Sequence, residues 1–203
     1  ASIEAIQQGA LALQHTIPLQ FITTQPTVND TATGESLGIT ELVGEATTYY
    51  LGSTQGRQQN IAQAASHFHG IVIGPGEEFS FNHWLGDVSA EAGYEESFII
   101  FGGRTIKGVG GGVCQVSTTL FRAAFFSGFP IVERHAHAYR VYYYEKVAGN
   151  VIDPKLAGLD ATVYVPVVDF KFTNDTPYWL LMETYVNPSY SSIVWKFYST
   201  SDG

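Results

Sequence analysis

The chain has one cysteine, one methionine and few charges. A single thiol, Cys114, excludes an intrachain disulfide framework and any zinc site built from several cysteines. Charged residues make up only 14% of the chain, against roughly 25% in an average globular protein. Basic residues are the scarcer sign: ten Lys and Arg stand against nineteen Asp and Glu, a net charge of −9. Such a chain has no general attraction for phosphate backbones, so nucleic acid is not an expected partner. No run approaches the roughly 18–20 apolar residues of a membrane span. No basic start precedes an apolar stretch, as it would in a signal peptide. The chain begins at Ala1 and its only methionine is Met182. We therefore expect a processed product or a piece of a longer protein, with any signal or membrane anchor in the missing part.

What is present is apolar surface. Hydrophobic residues are 45% of the 203 and aromatic residues 14%, enough to bury a full core and to exclude a disordered tail. Residues 2–13 set Ile3, Ile6, Ala10 and Leu13 on one helical face, interrupted by Gly9. Residues 17–23 read as a strand. We expect residues 1–24 to be the remnant of a preceding domain, 25–38 a linker rich in Thr, Asn, Asp, Gly and Pro, and 39–203 the main domain.

Within that domain, strands are expected at 45–51, 78–82 and 98–101, and a helix at 60–68 capped near 57–60. Gly74-Pro75-Gly76 marks a turn. The densest glycine run, 107–113, leads into a helix over 114–127, with Gly128 and Pro130 as stop signals. From 131 to 144 (IVERHAHAYRVYYY) the period becomes two. Further strands are expected at 161–168, 169–173, 179–186 and 193–198. One central helix followed by a run of strands predicts an α+β fold: a mostly antiparallel sheet packed with the helix that starts at the cysteine.

That helix start carries the strongest chemical signal. A glycine loop entering a helix exposes unpaired N–H groups. The helix dipole lowers the pKa of a cysteine in the first turn. The N–H groups around Gly111 and Gly112 can hold an oxyanion once sulfur attacks a carbonyl, with Gln115 as a further donor. Ser117 and Arg134 complete the expected substrate contacts. The plainer alternative is a small buried cysteine in a tight loop. His135 and His137, two apart on a strand, would share a face. Either can serve as base to Cys114, the pair can begin a metal site, or both are simply polar residues on a half-exposed strand. Asp160 can orient the histidine, or be a turn residue. His67 and His69, at a helix end, read as structural or surface residues. Tyr139, Tyr142, Tyr143 and Tyr144 line a groove or pack a sheet.

The blocks PGEEFSFN (75–82), Gly93-Tyr94, GGGVCQVSTTLFRAA (110–124), IVERHAHA (131–138) and GLDATV (158–163) together resemble the VanW-like family. The resemblance runs from about Thr47 to about Thr184. It places the family's cysteine block on Cys114, its histidine block on His135 and His137 and its aspartate block on Asp160. Residues 1–24 resemble the tail of the peptidoglycan-binding-like domain that often precedes such domains. The resemblance implies a bacterial, extracytoplasmic, envelope-associated protein. The order Cys114, His137, Asp160 also looks like that of transglutaminase-like and papain-like enzymes, an analogy of element order only.

Three functions follow as expectations. The leading one is a Cys–His–Asp enzyme that cleaves or exchanges amide bonds in peptidoglycan peptide or a surface protein, without cofactor or metal. The second is a non-catalytic cell-wall-binding module. The third is a metal-dependent hydrolase using His135, His137 and one acid.

Overall fold

Short strands separated by four helices follow one another in the computed structural model, which describes residues 2–18 and 21–201. In chain order they are α1 (Ser2–Leu11), β1 (Glu41–Tyr49), α2 (Gln55–Ser66), β2 (Ile71–Ile73), β3 (Glu78–Ser80), α3 (Phe81–Leu85), β4 (Glu96–Phe101), β5 (Arg104–Val109) and α4 (Val113–Phe126). Then come β6 (Ile131–Glu133), β7 (Lys146–Val147), β8 (Val151–Ile152), β9 (Lys171–Thr173), β10 (Leu180–Asn187) and β11 (Ser192–Ser199). Two compact units divide the chain, Ala1–Thr33 and Gly34–Gly203.

In the first unit α1 runs through Gly9, where a Cβ would lie 2.6 Å from the Ile17 side chain; the missing side chain makes room for Ile17. The strand expected at 17–23 is absent from its described residues. Pro18 has no N–H to give a ladder, and no strand forms among the described residues of this unit. Residues 19 and 20 of that stretch lie outside the described residues.

In the second unit, alternation builds a four-stranded antiparallel sheet in the order β1-β11-β10-β2. Its inward residues Leu180, Met182, Ile193, Trp195 and Phe197 are fully buried. Helices α2 and α4 cover that face. A second sheet, β3-β9-β6, adds Phe79 and Phe172, whose rings lie 5.2 Å apart. The β4–β5 and β7–β8 hairpins pair only within themselves. The expected α+β class, with a mostly antiparallel sheet and a central helix entered at Cys114, is what the chain forms.

Several boundaries differ. Helix α2 begins at Gln55, because the Thr54 hydroxyl accepts from Arg57 N–H and caps it there. Residues 81–82 belong to α3 and not to a strand, because the Ser80 hydroxyl accepts from His83 N–H. The long strand expected over 131–144 stops at Glu133. His135 makes one isolated bridge with Thr162, and residues 142–145 wind into a 3-10 turn. Residues 161–168 form no continuous strand; they make that bridge and a tight turn closed between Tyr164 and Val168. The element order is therefore helix with Cys114, loop with His137, loop with Asp160, and not the helix–strand–strand plan of the papain-like analogy.

Candidate functional site

Two glycines fix the entry to α4. A Cβ on Gly111 would lie 2.5 Å from Phe98 O, so no side chain fits there. Gly112 adopts a φ of 122°, open only to glycine, and a Cβ on it would press on Arg57 O at 2.9 Å. Fully buried Asn60 clamps the run: Nδ2 donates to Gly111 O at 3.0 Å and to Glu95 O at 2.9 Å, and Oδ1 accepts from Glu95 N–H at 2.7 Å. Cys114 thereby sits half-buried in the first turn of α4. The N–H groups of Gly111, Gly112 and Cys114 have no backbone acceptor among the described residues.

The Cys114 S–H donates to Val163 O at 3.5 Å, and the sulfur lies 3.5 Å from Thr162 Oγ1. The His137 ring lines the same cavity as the sulfur, and its nearness lowers the thiol pKa. Its side chain is only 3% exposed. Asp160 holds it twice: Oδ2 accepts from His137 Nδ1 at 2.5 Å and from His137 N–H at 2.9 Å. With Nδ1 taken, Nε2 is the nitrogen left for the sulfur.

Burial pushes the Cys114 thiol up, but the His137 imidazole together with the Val163 and Thr162 contacts sets the pKa below the ordinary thiol value. Burial likewise pulls His137 down, while the Asp160 carboxylate and the sulfur raise it to about 9. Burial also raises Asp160. Its bonds from the His137 ring and N–H, with the Arg134 charge, hold it below the usual carboxylate range. All three shifts run toward the charged forms, thiolate, imidazolium and carboxylate.

Helix α4 itself carries the clamps that bring Asp160 here. Ser117 Oγ donates to Ala161 O at 2.7 Å, and Thr118 Oγ1 accepts from Ala161 N–H at 3.1 Å. Arg122, 2% exposed, donates from Nε to Leu159 O and from Nη1 to Tyr144 O, both at 2.7 Å. From outside, Arg134 donates to Asp160 O at 2.6 Å and to Gly158 O.

The expected site residues thus fall into two groups. Cys114, His137, Asp160, Gly111 and Gly112 come together. Gln115, Ser117 and Arg134, expected to touch substrate, spend their polar atoms inside the protein. Buried Gln115 donates to Thr48 Oγ1 and Tyr49 O, both at 3.0 Å, and accepts from Arg57 at 2.6 Å. Ser117 and Arg134 hold the Asp160 loop. His135 is exposed and bonded to Glu133 Oε1 at 3.1 Å. The chain leaves the strand before Ala136, so the shared face expected for the two histidines does not exist. No set of three His, Cys, Asp or Glu placed to hold a metal occurs among the described residues, and the metal-hydrolase expectation loses its ligands with His135. His69 Nδ1 lies 3.0 Å from Thr184 O, a structural contact.

Sequence reasoning missed Asn60, Arg57, Arg122 and Thr162. One signal was available: Cys114, Thr118 and Arg122 recur at four-residue spacing along α4. Cys114 and His137 open on a cavity of about 330 Å³ walled by β4, β5, the glycine run, Tyr143, Tyr144 and residues 163–165. Tyr144 meets the His137 ring edge-on at 5.6 Å. Tyr139 and Tyr142 line a neighbouring recess instead.

The family model described as VanW like protein matches residues 56–197. A Bacillus subtilis protein, "Uncharacterized protein YoaR", is 38% identical over 135 residues, 66% of this chain and 41% of its own length. An Enterococcus faecalis protein, "Vancomycin B-type resistance protein VanW", is 28% identical over 117 residues, 58% of this chain and 40% of its own. The chain thus spans about two fifths of the length of these curated relatives. No solved structure matches it. No helix among the described residues is long and apolar enough to cross a membrane.

Proposed function

The chain belongs to the VanW-like family, and we propose that it is a cell-envelope enzyme whose Cys114, His137 and Asp160 cleave or exchange an amide bond through a thioester. A relative named for vancomycin resistance supports the envelope setting. The observation that carries the chemistry is the doubly held imidazole: Asp160 fixes the orientation and tautomer of a buried His137 beside a thiol at a helix start.

In the neutral pair the S–H faces Val163 O; in the reactive pair that proton sits on the His137 ring, leaving a thiolate. The thiolate attacks the amide carbonyl carbon, a C–S bond forms, and the carbonyl electron pair moves to oxygen. The unpaired N–H groups at the start of α4 are the available donors for that oxyanion. Collapse breaks the C–N bond, and the leaving amine takes the proton from His137. Water, or an acceptor amine, then attacks the thioester with His137 as base and frees the sulfur. Peptidoglycan peptide or a surface-protein peptide is the substrate class in keeping with the envelope setting.

Iodoacetamide tests this directly. At about pH 6.5 native Cys114 should react faster than the same thiol in the unfolded chain, because the fold holds its pKa below the ordinary thiol value. A Cys114 that labels only after unfolding overturns the proposal and leaves a binding module.

A further inference from the structure

Arg57 lines the Cys114 cavity and forms no ion pair among the described residues. Of its five N–H donors, one goes to Ser53 Oγ at 2.8 Å and one to Gln115 Oε1 at 2.6 Å, both neutral acceptors. Three donors remain. No ion pair to Arg57 forms among the described residues, whereas Arg134, Arg140, Lys171 and Lys196 each have a carboxylate within 4 Å. The guanidinium lies over the Tyr143 ring, 5.4 Å from its centroid, which fixes its plane. It is half-buried and lines the Cys114 cavity as well as the adjoining recess that holds Lys146. Gly112 lets it come this close: a Cβ there would meet Arg57 Cγ at 3.2 Å. A protein of net charge −9 thus places an unpaired fork donor against Gly112, two residues before its candidate nucleophile. Asp87 is the cavity's one carboxylate wall residue and makes no ion pair with Arg57.

We infer that Arg57 is a specificity residue that takes a carboxylate of the substrate, so that the acyl group brought to Cys114 belongs to a peptide with a free carboxylate close to the bond attacked. The planar fork with three open donors suits bidentate carboxylate binding. The inference rests on the thiol reading above, and its test separates the two.

The probes are 2-carboxyethyl methanethiosulfonate and 2-hydroxyethyl methanethiosulfonate. In both, thiolate attacks the sulfenyl sulfur, a disulfide forms and methanesulfinate leaves; the reagents differ in the carboxylate. The rate ratio of acidic to neutral reagent at Cys114 should fall about fivefold or more in Arg57→Gln. Arg57→Lys, which keeps charge without the fork, should recover part of it. Lys107→Gln, on the exposed β5, makes the same change in net charge and should alter the ratio by less than about twofold. A merely structural Arg57 would slow or speed both reagents alike. If Arg57→Gln does not fold, the wild-type protein still decides: N-acetylalanine, but not its amide, should protect Cys114 from the neutral reagent. Fast, His137-dependent reaction with the neutral reagent, together with a ratio indifferent to Arg57→Gln or equally lowered by Lys107→Gln, overturns this inference alone. Absence of protection by the acid does the same. A native thiol inert to both reagents overturns the thiol reading and this inference with it.

Discussion

The main sheet and the loops around Cys114 are held by opposite means. In β10 and β11 alternate residues turn inward and most of them are apolar and buried, and the strands pair with one another and with β1 and β2. In residues 134–138 and 158–163 there is almost no ladder. Those segments hang from side chains, with Ser117, Thr118, Arg122 and Arg134 bonded to their backbone groups. Apolar area holds the first region without direction. Hydrogen bonds from a few buried polar groups hold the second, and each of those sets the aim of His137 or Asp160. Loss of packing should therefore cost stability and leave the thiol alone, whereas loss of a clamp should change the thiol.

The largest effect should come from the sheet. Trp195 is fully buried, and its indole N–H makes no hydrogen bond, so its contribution is packing. Trp195→Ala should cost about 3–5 kcal/mol in urea unfolding. The fraction still folded should alkylate at Cys114 within about twofold of the wild-type rate. A larger change would mean that the site depends on the sheet after all.

Arg122→Met reverses the pattern. It leaves Leu159 O and Tyr144 O without their donors and should cost about 2–3 kcal/mol. Its distinguishing effect is on the folded protein: the Asp160 loop loosens, and iodoacetamide labelling at about pH 6.5 should slow by roughly tenfold. Labelling at the wild-type rate would show that Ser117, Thr118 and Arg134 suffice to hold the loop.

These two regions also differ in how far they can be read from the sequence. Strands β10 and β11 and helix α4 follow from periodicity, because apolar burial is what periodicity records. The stretch IVERHAHAYRVYYY alternates just as well, yet it is a strand for three residues. A strand needs a neighbour for its N–H groups, and only Ile131 and Glu133 meet β9. Beyond them Arg140 pairs with buried Glu145, Arg122 takes the Tyr144 carbonyl, and the chain winds into a 3-10 turn. The small Ala136 and Ala138 imitate a half-buried face without being one. The trio of Cys114, His137 and Asp160 was legible as residue types near glycine and strand signals. The roles of Gln115, Ser117 and Arg134 were not, because satisfying a buried carbonyl and touching a substrate call for the same side chains.

The sharpest comparison sets two neighbouring histidines against each other, and its His135 arm carries the smallest expected effect. His137→Ala removes the charge that holds the thiol down, so labelling at about pH 6.5 should fall roughly tenfold and its pH dependence should move upward. Stability should follow the same ring. Its folded pKa of about 9 lies above the unfolded value, so its contribution is full below about pH 6.5 and is lost as pH rises through about 9. Asp160, held low, contributes above its unfolded value and loses this on acidification. The stability gap between wild type and His137→Ala should therefore be widest at mildly acidic pH and close toward about pH 9. His135→Ala removes only an exposed ring bonded to Glu133. It should change the labelling rate by less than about twofold and leave its pH profile in place, since exposed pairs are worth about 0–1 kcal/mol. Equal effects of the two substitutions would mean that sulfur feels net charge on the loop and not the ring Asp160 holds against it.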